Sequence, residues 1–187
     1  MSKVLLHICC AGCAPVCIQR LRNQGFRVFG VFYNPNIHPQ KEYEKRKKDF
    51  LKISQKFSLD LIESDYQPQD WFKFIKGYED EKEGGRRCSL CFEFRLRRVR
   101  EIAVKEEFDF FTTTLTVSPH KNSKVINQIG LSLDNKRFLP RDFKKQDGFK
   151  ESLKYSRELD LYRQNYCGCI FSQHKLLDAA RKPRIYE

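Results

Sequence analysis

Residues 3–17 read KVLLHICCAGCAPVC. Val4, Leu5, Leu6 and Ile8 make an apolar run without strict alternation, the pattern of a strand covered on both faces. The run ends on the vicinal pair Cys9–Cys10, with Cys13 three residues on and Cys17 four residues further. Residues 14–25, APVCIQRLRNQG, then read as a helix that Gly25 closes. A buried strand that turns directly into a helix is the opening of a parallel sheet. Such sheets bind ligands at the carboxyl ends of their strands. The strand therefore delivers thiols to the edge where chemistry is done.

The rest of the chain extends this pattern. FRVFGVFYNP (26–35) predicts a second strand, and QKEYEKRKKDFLKISQKF (40–57) predicts an amphipathic helix with Tyr43, Phe50, Leu51 and Ile53 among its apolar positions. LDLIESDY (59–66) predicts a third strand and PQDWFKFIKGYE (68–79) a helix. EDEKEGGRRC (79–88), charged and glycine-containing, reads as a loop before the helix SLCFEFRLRRVREIAVKEE (89–107). FDFFTTTLTV (108–117) is rich in aromatic and β-branched residues and predicts a fourth strand. A helix over 120–133, a short strand over 137–143 (RFLPRDF), a helix over 150–162 and a last helix over 170–182 complete the reading. The order β-α-β-α-β-α-α-β-α-β-α predicts an α/β fold, a Rossmann-like open parallel sheet with helices on both faces. There is no internal repeat and no low-complexity linker, so residues 1–187 are expected to form a single domain.

The chain carries 36 Lys and Arg against 24 Asp and Glu, a net charge of +12. That excess suits a polyanionic partner such as nucleic acid, although a solvated basic face gives the same count. No stretch approaches the ~20 apolar residues of a membrane span. The apolar run near the N-terminus is too short for a secretory signal, so the expected location is cytoplasmic.

The eight cysteines, at 9, 10, 13, 17, 88, 91, 167 and 169, fall in three groups. In a reducing compartment, clustered thiols more often bind metal or do redox work than form structural disulfides. Cys88 and Cys91 form a C-x-x-C pair that can face one metal or one cluster edge. With Cys9 and Cys10 it makes a four-thiolate set, for zinc or for an iron–sulfur cluster. Adjacent residues reach two corners of a large cluster more easily than two tetrahedral positions around one small ion. Cys13 is a further ligand candidate and Cys17 reads as core. Cys167-Gly168-Cys169 admits two readings: a strained disulfide closed with the help of the glycine, or two more metal ligands. Arg86, Arg87, Arg95, Arg97 and Arg98 flank the C-x-x-C and suit a phosphate-bearing substrate or a solvated helix face. Asp142, at the end of the expected 137–143 strand, is the carboxylate best placed near the thiols.

The chain resembles the QueH-type epoxyqueuosine reductases. The resemblance rests on LLHICCAGCAP (5–15), FYNPNIHPQKEYEKR (32–46), CSLCFEFRL (88–96), FDFFTTTLTVSPHKN (108–122) and DFKKQDGFKESLKYSRELDLYRQNYCGCIFS (142–172), in that order. One departure is Gly12, where many members have proline. The resemblance implies a sheet like that of the adenine-nucleotide alpha-hydrolase class and a 4Fe–4S cluster. It implies reduction of epoxyqueuosine to queuosine at the tRNA wobble position, the last step of that pathway. The implied partners are a tRNA bearing epoxyqueuosine and an electron donor, with no membrane. Carried over, Cys9, Cys10, Cys88 and Cys91 would hold the cluster, and Cys167 and Cys169 would form a redox-active disulfide. A second, mononuclear iron is implied as well, with Cys13 and Asp142 as its candidate ligands. Two rivals stand beside this reading. One is a zinc-stabilised tRNA-binding module without catalysis. The other is a cluster-dependent tRNA thiolase, which would need a Ser-Gly-Gly-x-Asp-Ser loop where this chain has CCAGCAP.

Overall fold

A computed structural model describes residues 1–173. Its centre is a four-stranded parallel sheet of β1 (Lys3–His7), β2 (Arg27–Val31), β3 (Asp60–Ile62) and β4 (Phe110–Thr113), in the order β3-β2-β1-β4. β1 is interior, pairing Lys3–His7 with Arg27–Val31 on one side and Val4–His7 with Phe110–Thr113 on the other. Its continuous apolar run now has a cause. Val4, Leu6 and Ile8 join the core on one face, with Ile18, Leu21, Phe50 and Ile53. Leu5 joins the core on the other, with Leu96, Val99, Phe111 and Ile126. Both faces are covered, and the one buried polar side chain of the strand, His7, is bonded at both ring nitrogens, to Thr113 Oγ1 and Tyr33 O.

The helices flanking the sheet include α1 (Ala14–Asn23), α2 (Gln40–Lys56), α3 (Pro68–Phe74), α4 (Arg86–Lys105), α5 (Ser123–Leu133) and α6 (Gly148–Glu158). The chain leaves β1 toward β2 on one side, while β4 lies on the other. The carboxyl ends of β1 and β4 thus flank the point where strand order reverses, the usual ligand crevice of such sheets.

Three expectations are corrected. First, the sheet has four strands among the described residues, not five. RFLPRDF makes a single bridge, Phe138 to Phe111, with Phe111 N–H donating to Arg137 O and Leu139 N–H to Phe111 O. Pro140 follows at once and has no N–H to extend the ladder. Second, β4 stops at Thr113 rather than Val117. Thr113 Oγ1 accepts the Leu115 N–H at 3.1 Å, and residues Thr114–Val117 wind into a 3-10 turn. Third, α4 starts at Arg86, which places Cys88 and Cys91 in its first two turns rather than on a loop boundary. The last expected helix is helical at 170–173, and the remainder lies outside the described residues.

Candidate active site

Seven cysteines line one cavity of about 740 Å³ at the carboxyl edge of the sheet: Cys9, Cys10, Cys13, Cys88, Cys91, Cys167 and Cys169. Cys17 is fully buried in the core beneath them and does not reach it. Each group arrives by a different local device. Cys9 and Cys10 follow β1, and a 3-10 turn over Ala11–Cys13 swings Cys13 under them. Cys10 Sγ lies 3.0 Å from Cys13 Sγ and 3.9 Å from Cys9 Sγ. Gly12 lets α6 pack closely on this turn, because a side chain there would run into Ser156 Oγ of α6.

The threonine-rich end of β4 serves the same corner. Thr114 Oγ1 accepts the Cys9 N–H at 3.1 Å and donates toward Cys9 Sγ at 3.4 Å. Cys88 and Cys91 come from the first turns of α4, with Gly84 N–H donating to Cys88 Sγ at 3.2 Å.

The Cys167–Gly168–Cys169 segment is fixed by the loop after β2 and by α2. His38 N–H donates to Gly168 O at 2.7 Å, and Tyr166 Oη donates to His38 O at 2.5 Å. Arg46, on the buried face of α2, donates to Cys167 O at 3.1 Å and Tyr166 O at 3.3 Å while paired with Glu42 at 2.7 Å. Gly168 has φ of 114°, and a Cβ there would sit 3.0 Å from both Arg46 Nη1 and Ile37 Cγ1. Glycine is needed for its backbone conformation and for the close approach.

The charges facing the cavity are mostly positive. Among the described residues, Arg87, Arg95, Lys121 and Arg163 line it against the single carboxylate of Glu83. Arg95 is only 3% exposed, yet its partners are neutral: Cys91 O and Asn34 Oδ1, both at 3.3 Å. Asn34 in turn donates to Ile8 O at 2.9 Å, tying α4 to the end of β1. A buried guanidinium without a carboxylate is costly unless an anion shares the site.

Burial and crowding govern the thiols. Hydrogen bonding to Cys10, then burial, pushes the Cys9 thiol well up, and hydrogen bonding to Cys13 pushes Cys10 up to about 11. Burial raises Cys88 and Cys91. Left to themselves these sulfurs stay protonated, and a cation must be bound to deprotonate them together. Cys167 differs: the Cys169 thiol donates a hydrogen bond to it, and Cys167 is held below the usual thiol range. The same bond pushes Cys169 up. Burial works against the Lys121 ammonium, but the Cys9, Cys167 and Cys10 sulfurs outweigh it and raise its pKa.

The donor set and the surrounding charge therefore suit an anionic thiolate-held cluster. Soft sulfur donors from separate segments surround a space too large for one small ion. Asp142 does not share this space. Its Oδ2 accepts from Ser123 Oγ at 2.9 Å, Lys144 lies 3.7 Å from Oδ1, and it does not line the cavity. Cys13 lines the cavity and Asp142 does not, although Asp142 Oδ1 is buried without a hydrogen-bond partner among the described residues. The flanking arginines divide as well. Arg97 and Arg98 are exposed and paired with Glu93 and Glu101, whereas Arg87 and Arg95 are buried at the cavity. Arg46, Lys121 and Trp71 were not singled out from the sequence. Arg46 was findable, since it sits three residues from Tyr43 and four from Phe50, on the apolar face of its helix.

A family profile described as "QueH: Epoxyqueuosine reductase QueH" matches residues 4–175. The chain is 38% identical over 179 residues to an epoxyqueuosine reductase QueH of Streptococcus pyogenes, covering 91% of this chain and 70% of that protein. It is 39% identical over 178 residues to the Thermotoga maritima protein of the same description, covering 92% and 91%. Among solved structures, the fold resembles a U34-tRNA thiolase from Methanococcus maripaludis described with its [4Fe-4S] cluster. The TM-score is 0.58 at 14% identity, covering 95% of this chain and 65% of the thiolase. A predicted tRNA methyltransferase subunit from Methanocaldococcus jannaschii gives 0.57 at 10% identity, covering 96% and 89%. At these identities the two structures speak to the fold alone.

Proposed function

Because the chain belongs to the epoxyqueuosine reductase QueH family, we infer that its thiol-lined cavity is where an epoxide is reduced. The reaction removes the epoxide oxygen of epoxyqueuosine as water and leaves the alkene of queuosine, consuming two electrons and two protons. The substrate is the modified wobble nucleoside of a tRNA, which accords with the net charge of +12. The observation that carries the assignment to this cavity is the convergence of seven cysteines on it. No helix among the described residues is long and apolar enough to cross a membrane.

The roles are those the family resemblance implies, and the positions of the thiols support them. Cys9, Cys10, Cys88 and Cys91, fixed on a strand end and a helix start, are the ligands of a 4Fe–4S cluster. Such a cluster supplies electrons one at a time when bound. Cys167 and Cys169 are the redox pair; joining the Cys167 thiolate and the Cys169 thiol in a disulfide releases two electrons and one proton, and the second proton of the water comes from solvent. The hydrogen bond from Cys169 leaves Cys167 as the thiolate of the pair. Arg95 balances the negative charge of the ligand thiolates. Lys121 faces the cavity with no carboxylate pairing it among the described residues, and is placed to donate a hydrogen bond to the departing oxygen. Of the two residues expected at a second iron, Cys13 lines the cavity and Asp142 lies outside its lining. The whole apparatus belongs to a single α/β domain.

The test is anaerobic purification followed by iron and sulfide analysis and single-turnover conversion of epoxyqueuosine-containing tRNA. We expect a brown protein with about four irons, a stoichiometry set by the cluster type, and queuosine as product. A colourless, zinc-loaded protein that binds tRNA without converting it would establish the non-catalytic reading instead. The thiolase reading is disfavoured by the chain itself, since Cys9–Cys13 occupy the loop that an ATP-pyrophosphate site would need.

A further inference from the structure

We propose that the outer face of α2 is the surface on which the RNA stem of the substrate docks, with its lysines set against consecutive phosphates. This rests on the tRNA reading above and adds where the tRNA lies. Lys41, Lys45, Lys48 and Lys52 recur at intervals of four, three and four residues, and all are exposed. At ~100° per residue they fall within an arc of about 60°, a stripe ~16 Å long. The opposite face, with Tyr43, Arg46, Phe50 and Ile53, is buried. Lysines at these spacings repel one another and weaken an isolated helix. Neither Lys41 nor Lys48 has an ion-pair partner among the described residues.

The stripe is joined to the active site. Lys45, Lys48 and Lys52 line a shallow groove of about 380 Å³ with Tyr162, and Tyr162 also lines the thiol cavity. Lys45 Nζ stands 3.4 Å from the centre of the Tyr162 ring. Exposed Arg163, next in the chain, continues the positive charge to the cavity mouth. Among the described residues, the carboxylates lining this groove are Asp49, engaged by Lys52 at 2.9 Å and by the Tyr162 N–H at 2.6 Å, and Asp160; Glu42, beside the Tyr162 hydroxyl, is paired with Arg46. A rigid row of ammonium groups leading to a pocket for one extruded nucleoside fits a folded RNA: phosphates position the stem while the pocket takes the base. An acidic peptide would need no such continuity with the cavity.

The test compares two triple variants of the cluster-loaded enzyme. Lys41→Gln, Lys45→Gln and Lys48→Gln remove three stripe charges. Lys3→Gln, Lys105→Gln and Lys136→Gln remove the same charge at the opposite, amino edge of the sheet. Binding of epoxyqueuosine-containing tRNA is measured across a salt series, together with turnover at saturating tRNA and iron content. For the stripe variant we expect affinity at low salt to fall by at least tenfold. The slope of log K against log salt should flatten by ~2.7, or ~0.9 for each phosphate left without its lysine. Maximal turnover and iron should stay at the parent's values. The control should keep the parent's affinity and slope within twofold. A stripe variant that keeps the parent's slope, or a control that loses as much, would overturn the docking surface while the parent's turnover still upholds the epoxyqueuosine reading. A parent that neither binds nor converts the tRNA would overturn both.

Discussion

The thiol cavity has a fixed wall and a tethered wall, and they are built by opposite means. Cys9, Cys10, Cys88 and Cys91 sit on the end of β1 and the start of α4, inside regular hydrogen-bonded structure. Cys167 and Cys169 sit on an irregular segment held from outside: the Arg46 side chain donates to Cys167 O, the His38 backbone N–H donates to Gly168 O, and His38 O accepts from the Tyr166 hydroxyl. The thiols of the fixed wall are pushed up, whereas Cys167 is brought down by its neighbour. The contrast separates two jobs that cysteine does. Ligands must keep their positions while charge is added to and removed from the group they hold, so they belong on rigid elements. A dithiol that opens and closes must change its sulfur–sulfur separation, so it belongs where the backbone can yield and glycine is tolerated.

The largest expected effects break the fixed wall. Cys88→Ala or Cys91→Ala should remove most of the bound iron and sulfide and abolish conversion of epoxyqueuosine-containing tRNA. Full iron content in either variant would remove that residue from the ligand set. Cys167→Ser and Cys169→Ser, in contrast, should fold and keep iron, sulfide and visible colour. Their turnover should fall on the order of a thousandfold or more, because a serine hydroxyl cannot cycle through a disulfide. If these variants lose iron as well, the two walls are one ligand set and the comparison collapses.

A smaller effect tests the tether. Arg46→Met leaves the Glu42 carboxylate, Cys167 O and Tyr166 O without their shared donor in a buried site. Breaking a buried pair in this way costs about 3–5 kcal/mol. For a chain of this size that lowers Tm on the order of 10 °C. Gly168→Ala asks less: strain at positive φ and a tight contact against Arg46 cost about 1–3 kcal/mol. Both variants should keep iron in proportion to folded protein but turn over slowly, as measured by calorimetry and iron per mole beside the rate. An Arg46 variant with unchanged Tm and rate would mean that the segment holds itself.

The two walls also differ in how far the sequence reveals them. The fixed wall was legible because each of its parts carries a local signal: an unbroken apolar run before Cys9, and a C-x-x-C at the head of a helical pattern. The placement of the thiols at the carboxyl edge followed from the alternation of strands and helices, whereas the strand order that makes this edge a switch point did not. The tether was not legible, because its chief residue is one arginine within the basic run EKRKK. Only its register against Tyr43 and Phe50 marks it as buried. The overlong fourth strand has a similar origin. TTTLTV has strong β propensity, but Thr113 caps the turn and Thr114 turns its hydroxyl to Cys9, so a tertiary contact outweighs local preference. Asp142 was placed by a strand that makes one bridge and stops at Pro140, and it is held by Ser123 outside the cavity lining.

The smallest expected effect is a pH dependence carried by the tether. His38 is buried against Trp71 and Phe72, with ring centroids 5.3 and 4.8 Å away. Its Nδ1 lies 2.8 Å from Asn36 O and its Nε2 has no partner. Burial lowers its pKa below the usual 6.5. Below that value the unfolded chain takes up a proton that the folded chain resists. The stability contributed by the neutral ring is therefore complete above the unfolded pKa and is lost as pH falls toward the folded one. The loss is bounded at about 1.4 kcal/mol per pH unit. His38→Phe keeps the aromatic contacts and cannot titrate. Urea unfolding at pH 7.5 and 5.5 should show the parent losing more stability between the two than the variant, by about 1 kcal/mol or less. Because His38 N–H holds Gly168 O, acid should also loosen the dithiol segment first: alkylation of Cys167 and Cys169 at pH 5.5, corrected for thiolate content, should be faster relative to pH 7.5 in the parent than in His38→Phe. Equal pH sensitivity in both proteins would move the acid response to other groups and leave the tether indifferent to protons.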